Sequence, residues 1–271
     1  MTILVDGYVP RTGLDNYIDY SGVGYIGSQL TLEADPLDAS RTVARCLVTP
    51  ETYAAGFKRT ELTLGGSQDA IGSEFWYYWE TLIQSTDWPL VADAPSAILF
   101  QVHEVKDTGD ITHNPPAALQ TAGATAQHLG DAWEFVQRHD PGELTTVNSP
   151  NERYLWKRRG IEFNRWVRWA YHVRWAYDTT GFIRLYKDDR LLYTADNVGT
   201  TFNDDVSRGG LAAVRAKTGS YPSAGLGTGV QSRVVYVSGI VKGDASSSYE
   251  EVSGRPLLEP IVANRVHGVI L

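Results

Sequence analysis

The sequence predicts an all-β fold, an antiparallel two-sheet β-jelly roll, and three observations lead to this prediction. Short segments alternate between apolar and polar residues, turn-forming residues separate these segments, and helical periodicity is almost absent. The composition is 42% hydrophobic, which is enough for one large core. Because neither a linker nor an internal repeat divides the chain, we expect a single domain over residues 1–271, with a lead-in at 1–25 and a C-terminal tail at 255–271.

Each predicted strand is short and ends near Gly, Pro, Asp or Asn. The alternation puts one side of each strand in a core and the other toward solvent or a ligand. The arrangement expected from such strands is a concanavalin A-like sandwich. The predicted strands are 30–34, 42–48, 59–64, 74–80, 97–105, 115–120, 133–138, 166–177, 182–186, 191–193, 211–216 and 233–241.

The strongest strand pattern lies at 166–177. One of its faces is wholly apolar and aromatic, so we expect it to face the core; it consists of Val167, Trp169, Tyr171, Val173, Trp175 and Tyr177. The opposite face carries His172 and Arg174, which are candidates for substrate binding. Trp76 and Tyr78 are further candidates, because flat aromatic side chains suit sugar rings, although a plain core role would explain them equally well.

The net charge of −8 argues against a nucleic-acid partner. The charge is uneven, because residues 153–190 contain ten Lys or Arg against four Asp or Glu, a net of +6. Fields add locally, so a basic stripe in an acidic protein suits an anionic ligand. Paired charges on an exposed strand face would explain the stripe equally well.

Several classes of protein are disfavoured by what the sequence lacks. No run approaches the roughly 18 apolar residues of a membrane helix, and no signal-peptide pattern is visible, so we expect no membrane partner and leave the localisation open. The single Cys46 excludes an intrachain disulfide and a zinc site of paired cysteines. Nucleophile-elbow, Walker and H-E-x-x-H motifs are missing. A glycosidase of this fold would need two carboxylates at a set distance, which no strand clearly offers.

Arg, Gln, His, Lys and Tyr side chains remain as candidates for chemistry, in three stretches: 58–62 (KRTEL), 101–104 (QVHE) and 217–221 (KTGSY). Such a set suits β-elimination from a uronic acid. A cation or hydrogen-bond donor on the carboxylate stabilises an enolate-like intermediate, while His or Tyr moves protons at C5 and O4.

These stretches resemble, in order, motifs of the heparin-lyase-I-like polysaccharide lyases, β-jelly-roll enzymes related to glucuronan and alginate lyases. Arg59-Thr60-Glu61-Leu62 is similar to the family's R-S/T-E-L strand, Gln101-Val102-His103 to its strand that ends in a catalytic His, and residues 217–221 to its K-x-G-x-Y element. The resemblance covers roughly residues 29–243. The sequence differs from the family's motifs at Val102, where the family has Trp, and in the hairpin at 185–189. Both differences affect which substrate is expected more than which reaction.

The resemblance implies five catalytic residues: His103, Tyr221, Arg59, Lys217 and Gln101. His103 and Tyr221 would act as base and acid in an order that stays open. Lys217 would activate Tyr221 or hold the substrate carboxylate, which Arg59 would bind with help from Gln101. Glu61 would join the substrate-binding set by orienting Arg59, although the two could also form a surface ion pair worth under about 1 kcal/mol.

The resulting prediction is a polysaccharide lyase that cleaves an anionic, uronic-acid-containing polysaccharide (glucuronan-, alginate- or heparin-like). The alternative is a non-catalytic carbohydrate-binding jelly roll, either lectin-like or a phage receptor-binding module. The chemistry requires no cofactor and no catalytic metal, but a structural calcium ion could bind at Asn203-Asp204-Asp205, where a solvated loop is the simpler explanation. Apolar residues of the tail could mediate a homo-oligomer or virion attachment, as in a phage-borne depolymerase.

Overall fold

A computed structural model describes residues 30–54, 58–63, 69–124 and 130–258, together with the backbone of residues 3–5. The remainder of the lead-in predicted at 1–25, and the tail from residue 259 onward, lie outside the described residues. None of the described helices is long and apolar enough to cross a membrane. The strands are β1 (Ile3–Val5), β2 (Leu30–Asp35), β3 (Asp38–Val48), β4 (Thr60–Thr63), β5 (Asp69–Ala70), β6 (Glu74–Leu82), β7 (Ala97–Val105), β8 (Ala117–Thr121), β9 (Ala132–Gln137), β10 (Arg153–Arg159), β11 (Trp166–Arg174), β12 (Gly181–Lys187), β13 (Arg190–Val198), β14 (Leu211–Pro222) and β15 (Arg233–Asp244).

The strands form two antiparallel sheets, which confirms the predicted all-β jelly roll. The eight-stranded sheet has the order β13-β12-β11-β6-β15-β3-β2, with β1 paired to β15. The seven-stranded sheet has the order β10-β9-β8-β7-β14-β4, with β5 paired to β14. Neighbours in space are often distant in sequence, so the sheets bring together stretches that the chain keeps far apart.

Aromatic side chains fill the space between the sheets. Trp79 of β6 stacks on Phe100 of β7 with ring centroids 3.9 Å apart, and these two strands belong to different sheets. Trp133 of β9 meets Trp169 of β11 edge to face at 5.5 Å. Large rings at alternate positions can span the roughly 10 Å between two packed sheets, so the aromatic content of the sequence serves mainly the core.

The predicted core face of residues 166–177 is confirmed with one exception. Its side chains from Val167 to Trp175 are almost fully buried in the central core. Tyr177 is exposed, because β11 ends at Arg174 and the chain turns at Asp178, whose Oδ1 accepts a hydrogen bond from the Thr180 N–H (2.8 Å).

A two-residue turn joins β12 to β13, as the sequence predicts. Asp188 and Asp189 both have positive φ, 48° and 65°, which matches the twist of a tight hairpin and which Asp tolerates better than most residues. Arg165 pairs with Asp188 and Arg168 with Asp189, each at 2.6 Å. The Tyr249 hydroxyl also donates to Asp189 (2.8 Å). The turn is therefore held by charged contacts.

Several elements differ from the prediction, and β5 and β10 are strands that the sequence patterns did not predict. Two short helices are present, α1 (Pro50–Ala54) and α2 (Tyr249–Ser253), where no helix was expected. The predicted strand 211–216 continues to Pro222 as β14. Residues 217–220 pair with β4 on one side while β7 pairs on the other, so these long-range contacts hold a Gly-containing stretch in extended form.

A buried ion pair links the two sheets. Asp69 of β5 contacts the Lys242 ammonium of β15, and both side chains are almost fully buried. Asp69 also accepts a hydrogen bond from the Tyr77 hydroxyl (2.5 Å), which in turn accepts one from Trp175 Nε1 (2.9 Å). Burial raises the pKa of Asp69, while the Lys242 charge opposes that rise.

Candidate active site

Three neighbouring strands of the seven-stranded sheet carry the three stretches singled out from the sequence. In the middle strand β14, Lys217 pairs with Gln101 of β7 on one side and with Thr63 of β4 on the other. Two residues before Lys217, Arg215 pairs with His103. Because side chains alternate along a strand and cross-strand partners share a face, these residues lie together on the outer face of the sheet.

The core residues of the same strands identify this face as the outer one. Phe100 and Val102 of β7 and Ala216 of β14 belong to the central core. Gln101, His103 and Lys217, which alternate with them, therefore point away from the core.

Glu61 is the centre of the contacts on this face. Gln101 Nε2 donates to Glu61 Oε1 at 2.6 Å, and Arg59 Nε lies 3.6 Å from Glu61 Oε2. Glu61 is fully buried and Gln101 is 1% exposed, although both face away from the core, so neighbouring side chains cover them. A buried carboxylate needs donors and positive charges around it; Gln101 supplies a hydrogen bond to Oε1, and Arg59 supplies a positive charge near Oε2, which has no hydrogen-bond partner.

Tyr221 joins the group through Arg59. The Arg59 guanidinium lies over the Tyr221 ring, 5.1 Å from its centroid. The Arg59 side chain is 27% exposed, so one part of it stays open to a ligand while another contacts Glu61. This contact brings the first and the last of the three stretches together.

Lys217 is an unusual lysine, because it is only 7% exposed. Burial lowers the pKa of its ammonium below the usual range, and the neighbouring Glu61 carboxylate partly opposes this shift. Arg59 and Arg215 lower the pKa further through charge repulsion. Arg59 and Arg215 therefore lie close enough to Lys217 to act on its charge, and this grouping of three cations makes the face attractive to an anion.

Close approach of β4 to β14 depends on Gly219. Its φ is 153°, and a Cβ atom there would lie 2.2 Å from the Thr60 carbonyl oxygen and 2.8 Å from Glu61 Cα. Glu61 is also its partner in the strand pairing. A side chain at position 219 would push β4 away, so the glycine of the K-x-G-x-Y element has a steric role.

His103 sits at the other end of the group. Its side chain is 35% exposed, and Nδ1 lies 3.2 Å from Oε1 of the buried Glu104. The same carboxylate oxygen lies 3.3 Å from His113 Nδ1. Neither Glu104 nor His113 was predicted to matter. The sequence did contain a signal for Glu104. Side chains alternate along a strand, so the acid directly after the outward-facing His103 points toward the core, where a carboxylate needs a partner.

The structure does not bring His103 and Tyr221 into contact. Tyr221 pairs with Ile98, five residues before His103 along β7, which corresponds to roughly 17 Å of strand. The strand pairing therefore puts the two groups at opposite ends of the patch. Arg59, Glu61, Gln101 and Tyr221 are joined by direct contacts, whereas Lys217 and His103 are placed beside them by the strand pairing.

Four predicted substrate-binding residues lie elsewhere. Trp76, Tyr78, His172 and Arg174 belong to β6 and β11 of the eight-stranded sheet, on the face away from the central core. They therefore lie in the opposite sheet from His103, and their role in substrate binding stays a prediction. Trp76 stacks on His172 at 3.8 Å, and Tyr249 of α2 packs over this face.

Each of these side chains already has a structural contact. His172 Nε2 lies 2.6 Å from Glu74 Oε1, and the Tyr78 hydroxyl donates to Glu80 Oε1 (3.0 Å). Arg174 lines a shallow depression with Glu74, on the same outer face. Period-two alternation identified the outward face correctly but could not tell to which sheet it belonged.

An acidic group lies beyond Glu104. Asp107, Asp110 and Asp204 each contribute an oxygen to a cluster whose members lie within 4.8 Å of one another. Of the predicted stretch Asn203-Asp204-Asp205, only Asp204 takes part: Asp205 accepts from the Ser207 N–H and caps a short helical turn, and Asn203 donates to a backbone carbonyl. The possible calcium site at Asn203-Asp204-Asp205 stays a prediction, and only Asp204 of that stretch belongs to this cluster.

With this geometry in place, comparison with known proteins identifies the family. A family model described as "Polysaccharide lyase" matches residues 19–241. Since the match spans most of the chain, the chain belongs to the polysaccharide lyase family and is an enzyme of that class. No curated protein sequence matches the chain significantly.

Solved structures share the fold at low sequence identity. The endo-β-1,4-glucuronan lyase of the fungus Trichoderma reesei is 16% identical, with a TM-score of 0.58 over 88% of this chain and 96% of that one. Alginate lyase A1-II′ of polysaccharide lyase family 7 is 11% identical, with a TM-score of 0.51 over 82% and 86%. The GH131 β-glucanase catalytic domain of Podospora anserina is 15% identical, with a TM-score of 0.54 over 94% and 100%.

These comparisons support the jelly-roll lyases as a group and do not single out the heparin-lyase-I branch. A β-glucanase shares the fold, so the fold alone does not separate a lyase from a hydrolase. The family match identifies this chain as a lyase rather than a hydrolase. It also disfavours the alternative of a non-catalytic carbohydrate-binding module.

Proposed function

We propose that this polysaccharide lyase cleaves an anionic polysaccharide rich in uronic acid, of the glucuronan or alginate type, by β-elimination on the outer face of the seven-stranded sheet. The observation that carries the proposal is the contact chain Arg59–Glu61–Gln101 beside the buried Lys217. The structural likeness to a glucuronan lyase and an alginate lyase supports the substrate class.

Gln101 is suited to bind the substrate carboxylate. An ionised carboxylate only accepts hydrogen bonds, so its 2.6 Å contact with Glu61 assigns Nε2, rather than Oε1, to that side. One N–H donates to Glu61, and the second is assigned to the substrate carboxylate, which has to displace the side chains that cover Gln101 in order to reach it. A donor held in place in this way costs no reorganisation when charge develops on the enolate.

Arg59 and Lys217 supply the positive charge. Charge-assisted hydrogen bonds to a carboxylate are roughly twice as strong as neutral ones. Because Lys217 is buried, its field is screened less than that of a surface lysine. Glu61 holds these groups in place, and both of its oxygens already face Gln101 or Arg59, which leaves it poorly placed to transfer a proton.

His103 and Tyr221 are the groups proposed to move protons. His103 Nδ1 lies 3.3 Å from the Glu104 carbonyl oxygen, which can only accept, so Nδ1 carries the hydrogen and Nε2 carries the lone pair that can accept a proton. In the reaction the base removes the C5 proton, the C5–H electrons form the C4–C5 double bond, and the C4–O4 bond breaks. The acid then protonates O4. The balance needs no cofactor, oxidant or catalytic metal.

A substrate panel tests this function. Glucuronan, alginate and heparin are incubated with the protein, and both the near-ultraviolet absorbance of the new C4–C5 double bond and the number of reducing ends are followed. We expect both signals to rise together on a uronate polymer. Reducing ends without absorbance would show hydrolysis, and binding without either signal would show a binding module; each result would overturn the proposal.

The attachment predicted for the C-terminal tail is a separate proposal. It rests only on the apolar residues Val266, Val269, Ile270 and Leu271, which lie outside the described part of the chain. Mass photometry of the full chain and of a chain ending at Leu258 tests the oligomer. Identical masses per particle, after allowing for the removed residues, would contradict it.

A further inference from the structure

Two titratable side chains behind His103 are buried and take no direct part in the proposed proton transfers. The side chains of Glu104 and His113 are 1% and 0% exposed. Neither oxygen of the Glu104 carboxylate has a hydrogen bond of normal geometry, and Nε2 of His113 has no hydrogen-bond partner. Buried polar atoms of this kind are rare in folded proteins and are found at functional sites, so these two residues point to a role besides stability.

Two imidazole rings approach the same oxygen of Glu104. His103 Nδ1 lies 3.2 Å from Glu104 Oε1, and His113 Nδ1 lies 3.3 Å from it. His113 Nδ1 also lies 3.5 Å from the Asn114 carbonyl oxygen. An ionised carboxylate and a carbonyl oxygen only accept hydrogen bonds, so Nδ1 carries the hydrogen in both rings. A second hydrogen on His113 Nε2 would be a buried donor without an acceptor, so this ring faces Glu104 as a neutral N–H donor.

The end of the pairing between β7 and β8 makes this arrangement possible. Neighbouring residues of a strand point to opposite faces, so the side chains of His103 and Glu104 can meet only around the edge of β7. The pairing with β8 ends at Val102, which leaves that edge open at the next two residues. The loop that leads to β8 brings His113 to the same edge, where its ring packs on Phe202 with centroids 4.5 Å apart. The fold therefore places a buried acid directly behind a partly exposed imidazole.

The charges around the His103 ring have both signs. Arg215 of β14 pairs with His103, and Lys217 lies two residues further along β14. Burial, and then the charge of Glu104, raise the pKa of Asp204 to about 8, so the loop before β14 brings a second acid close to Glu104. Burial lowers the pKa of Lys217, and Glu104 is among the carboxylates that oppose this shift. A positive charge on the His103 ring would have the Glu104 carboxylate as a counter-charge 3.2 Å away.

We propose that Glu104 and His113 are positioning residues of the site, an inference that rests on the proposed function: Glu104 stabilises the protonated ring of His103, and His113 holds the Glu104 carboxylate. In the reaction the C5 proton ends on His103 Nε2, and the positive charge of the ring then lies beside that carboxylate. An opposite charge within about 4–6 Å raises the proton affinity of such a group about tenfold or more. The contact therefore favours His103 over Tyr221 as the group that takes the C5 proton.

Glu104→Gln tests the contact without any substrate, because the amide keeps the shape of the side chain and removes its charge. The ring signals of His103 are identified in NMR spectra of the full chain by their loss in His103→Ala, and they are followed against pH. Their titration midpoint should move to lower pH by about one unit in Glu104→Gln. Glu134→Gln, a matched change at another buried glutamate of the same sheet, should leave the midpoint in place. An unchanged midpoint in Glu104→Gln, or equal shifts in the two variants, would overturn the proposal.

Kinetics on a polysaccharide that the protein cleaves provide the second measurement. Glu104→Gln should lower kcat by about 10- to 100-fold and leave KM within about threefold of the wild type, because the buried Glu104 does not touch the substrate. The acid limb of the pH profile of kcat/KM should move to lower pH together with the His103 midpoint. Movement of the alkaline limb instead, with kcat retained, would show that His103 is the acid and would overturn the proposal.

Two substitutions of His113 test its part and replace Glu104→Gln if that variant does not fold. His113→Asn keeps an N–H donor near the place of Nδ1, whereas His113→Phe keeps a ring and removes the donor. The His103 midpoint should lie at lower pH, and kcat should be about tenfold lower, in His113→Phe than in His113→Asn. Equal midpoints and equal kcat values in the two variants would refute the role of His113. If no polymer is cleaved, the proposed function fails, and the NMR midpoints still show whether Glu104 acts on His103.

Discussion

Replacement of Gln101 by leucine tests the carboxylate-binding group most sharply. Leucine keeps approximately the same volume but removes both N–H donors. In the structure one donor holds Glu61 at 2.6 Å, and the other is proposed to bind the substrate carboxylate. The change should therefore affect stability and catalysis separately, each by a magnitude that can be worked out.

The effect on catalysis should be the larger of the two. Removal of one preorganised donor to a developing anion costs about 2.7–4 kcal/mol in the transition state, which corresponds to a roughly 100- to 1,000-fold fall in kcat. The loss should appear in kcat rather than in KM alone, because the contact strengthens as charge moves onto the enolate. Initial rates of absorbance increase on the polysaccharide that the protein cleaves measure both constants.

The effect on stability should be modest. Glu61 Oε1 would lose its donor while remaining buried, which costs about 1–3 kcal/mol. For a domain of this size the Tm should fall by about 2–10 °C. The protein should therefore stay folded at the temperature of the assay.

Gln120 provides a matched control. It lies on the same face, on β8, and its Nε2 donates to Glu134 Oε2 at 3.0 Å. Gln120→Leu removes the same type of amide–carboxylate contact away from Arg59, so kcat should stay within about threefold of the wild type. Equal losses in the two variants, or a Gln101→Leu variant that keeps full kcat, would refute the role assigned to Gln101.

Three further predictions follow from the contacts. His103→Ala and Tyr221→Phe should each lower kcat by about 100-fold or more with a circular-dichroism spectrum like that of the wild type, and full activity in either would remove that residue from the mechanism. Asp69→Asn should lower the free energy of unfolding by about 3–5 kcal/mol, because the buried Lys242 loses the carboxylate charge beside it. Adding Lys242→Met should restore most of that free energy in urea titrations. An Asp69→Asn variant as stable as the wild type would contradict this reasoning. Gly219→Ala should lower Tm by several degrees through the clash with the β4 backbone, and an unchanged Tm would show that β4 can move without cost.

Much of the fold follows from local patterns in the sequence. Alternation in 166–177 gives the core side of β11, and the two Asp residues of the β12–β13 turn are the residue type that a tight turn tolerates. Because side chains alternate along a strand, the sequence also predicts that Gln101 and His103 point away from the core. Each of these properties depends on residues close in sequence, which is why the sequence alone suffices.

The neighbours of a strand are harder to predict, because they depend on contacts between distant residues. The outward face of β11 carries His172 and Arg174, but only the sheet order shows that β6 and β11 lie in the opposite sheet from His103. The cover provided by α2 over Trp76 is likewise a long-range contact.

The surroundings of the candidate site show the same limit. Glu104 and His113 are separated by a loop, and their shared contact behind His103 appears only when that loop folds back. The acidic cluster combines residues nearly a hundred positions apart, so the run of Asn and Asp around Asp204 could not indicate that Asp107 and Asp110 lie beside it. The three motifs were informative because their order along the chain resembles that of the family, whereas the individual contacts depend on topology.

The central claim is that the reaction is elimination rather than hydrolysis. The most direct test is whether oxygen from water enters the products. Glucuronan and alginate are digested in water labelled with oxygen-18, and the products are analysed by mass spectrometry. Elimination forms a C4–C5 double bond without adding water, so the new unsaturated ends should carry no label from the cleavage step. Products that contain one added water with its labelled oxygen, and no double bond, would contradict the assignment of Arg59, Gln101, Lys217, His103 and Tyr221 to a lyase site.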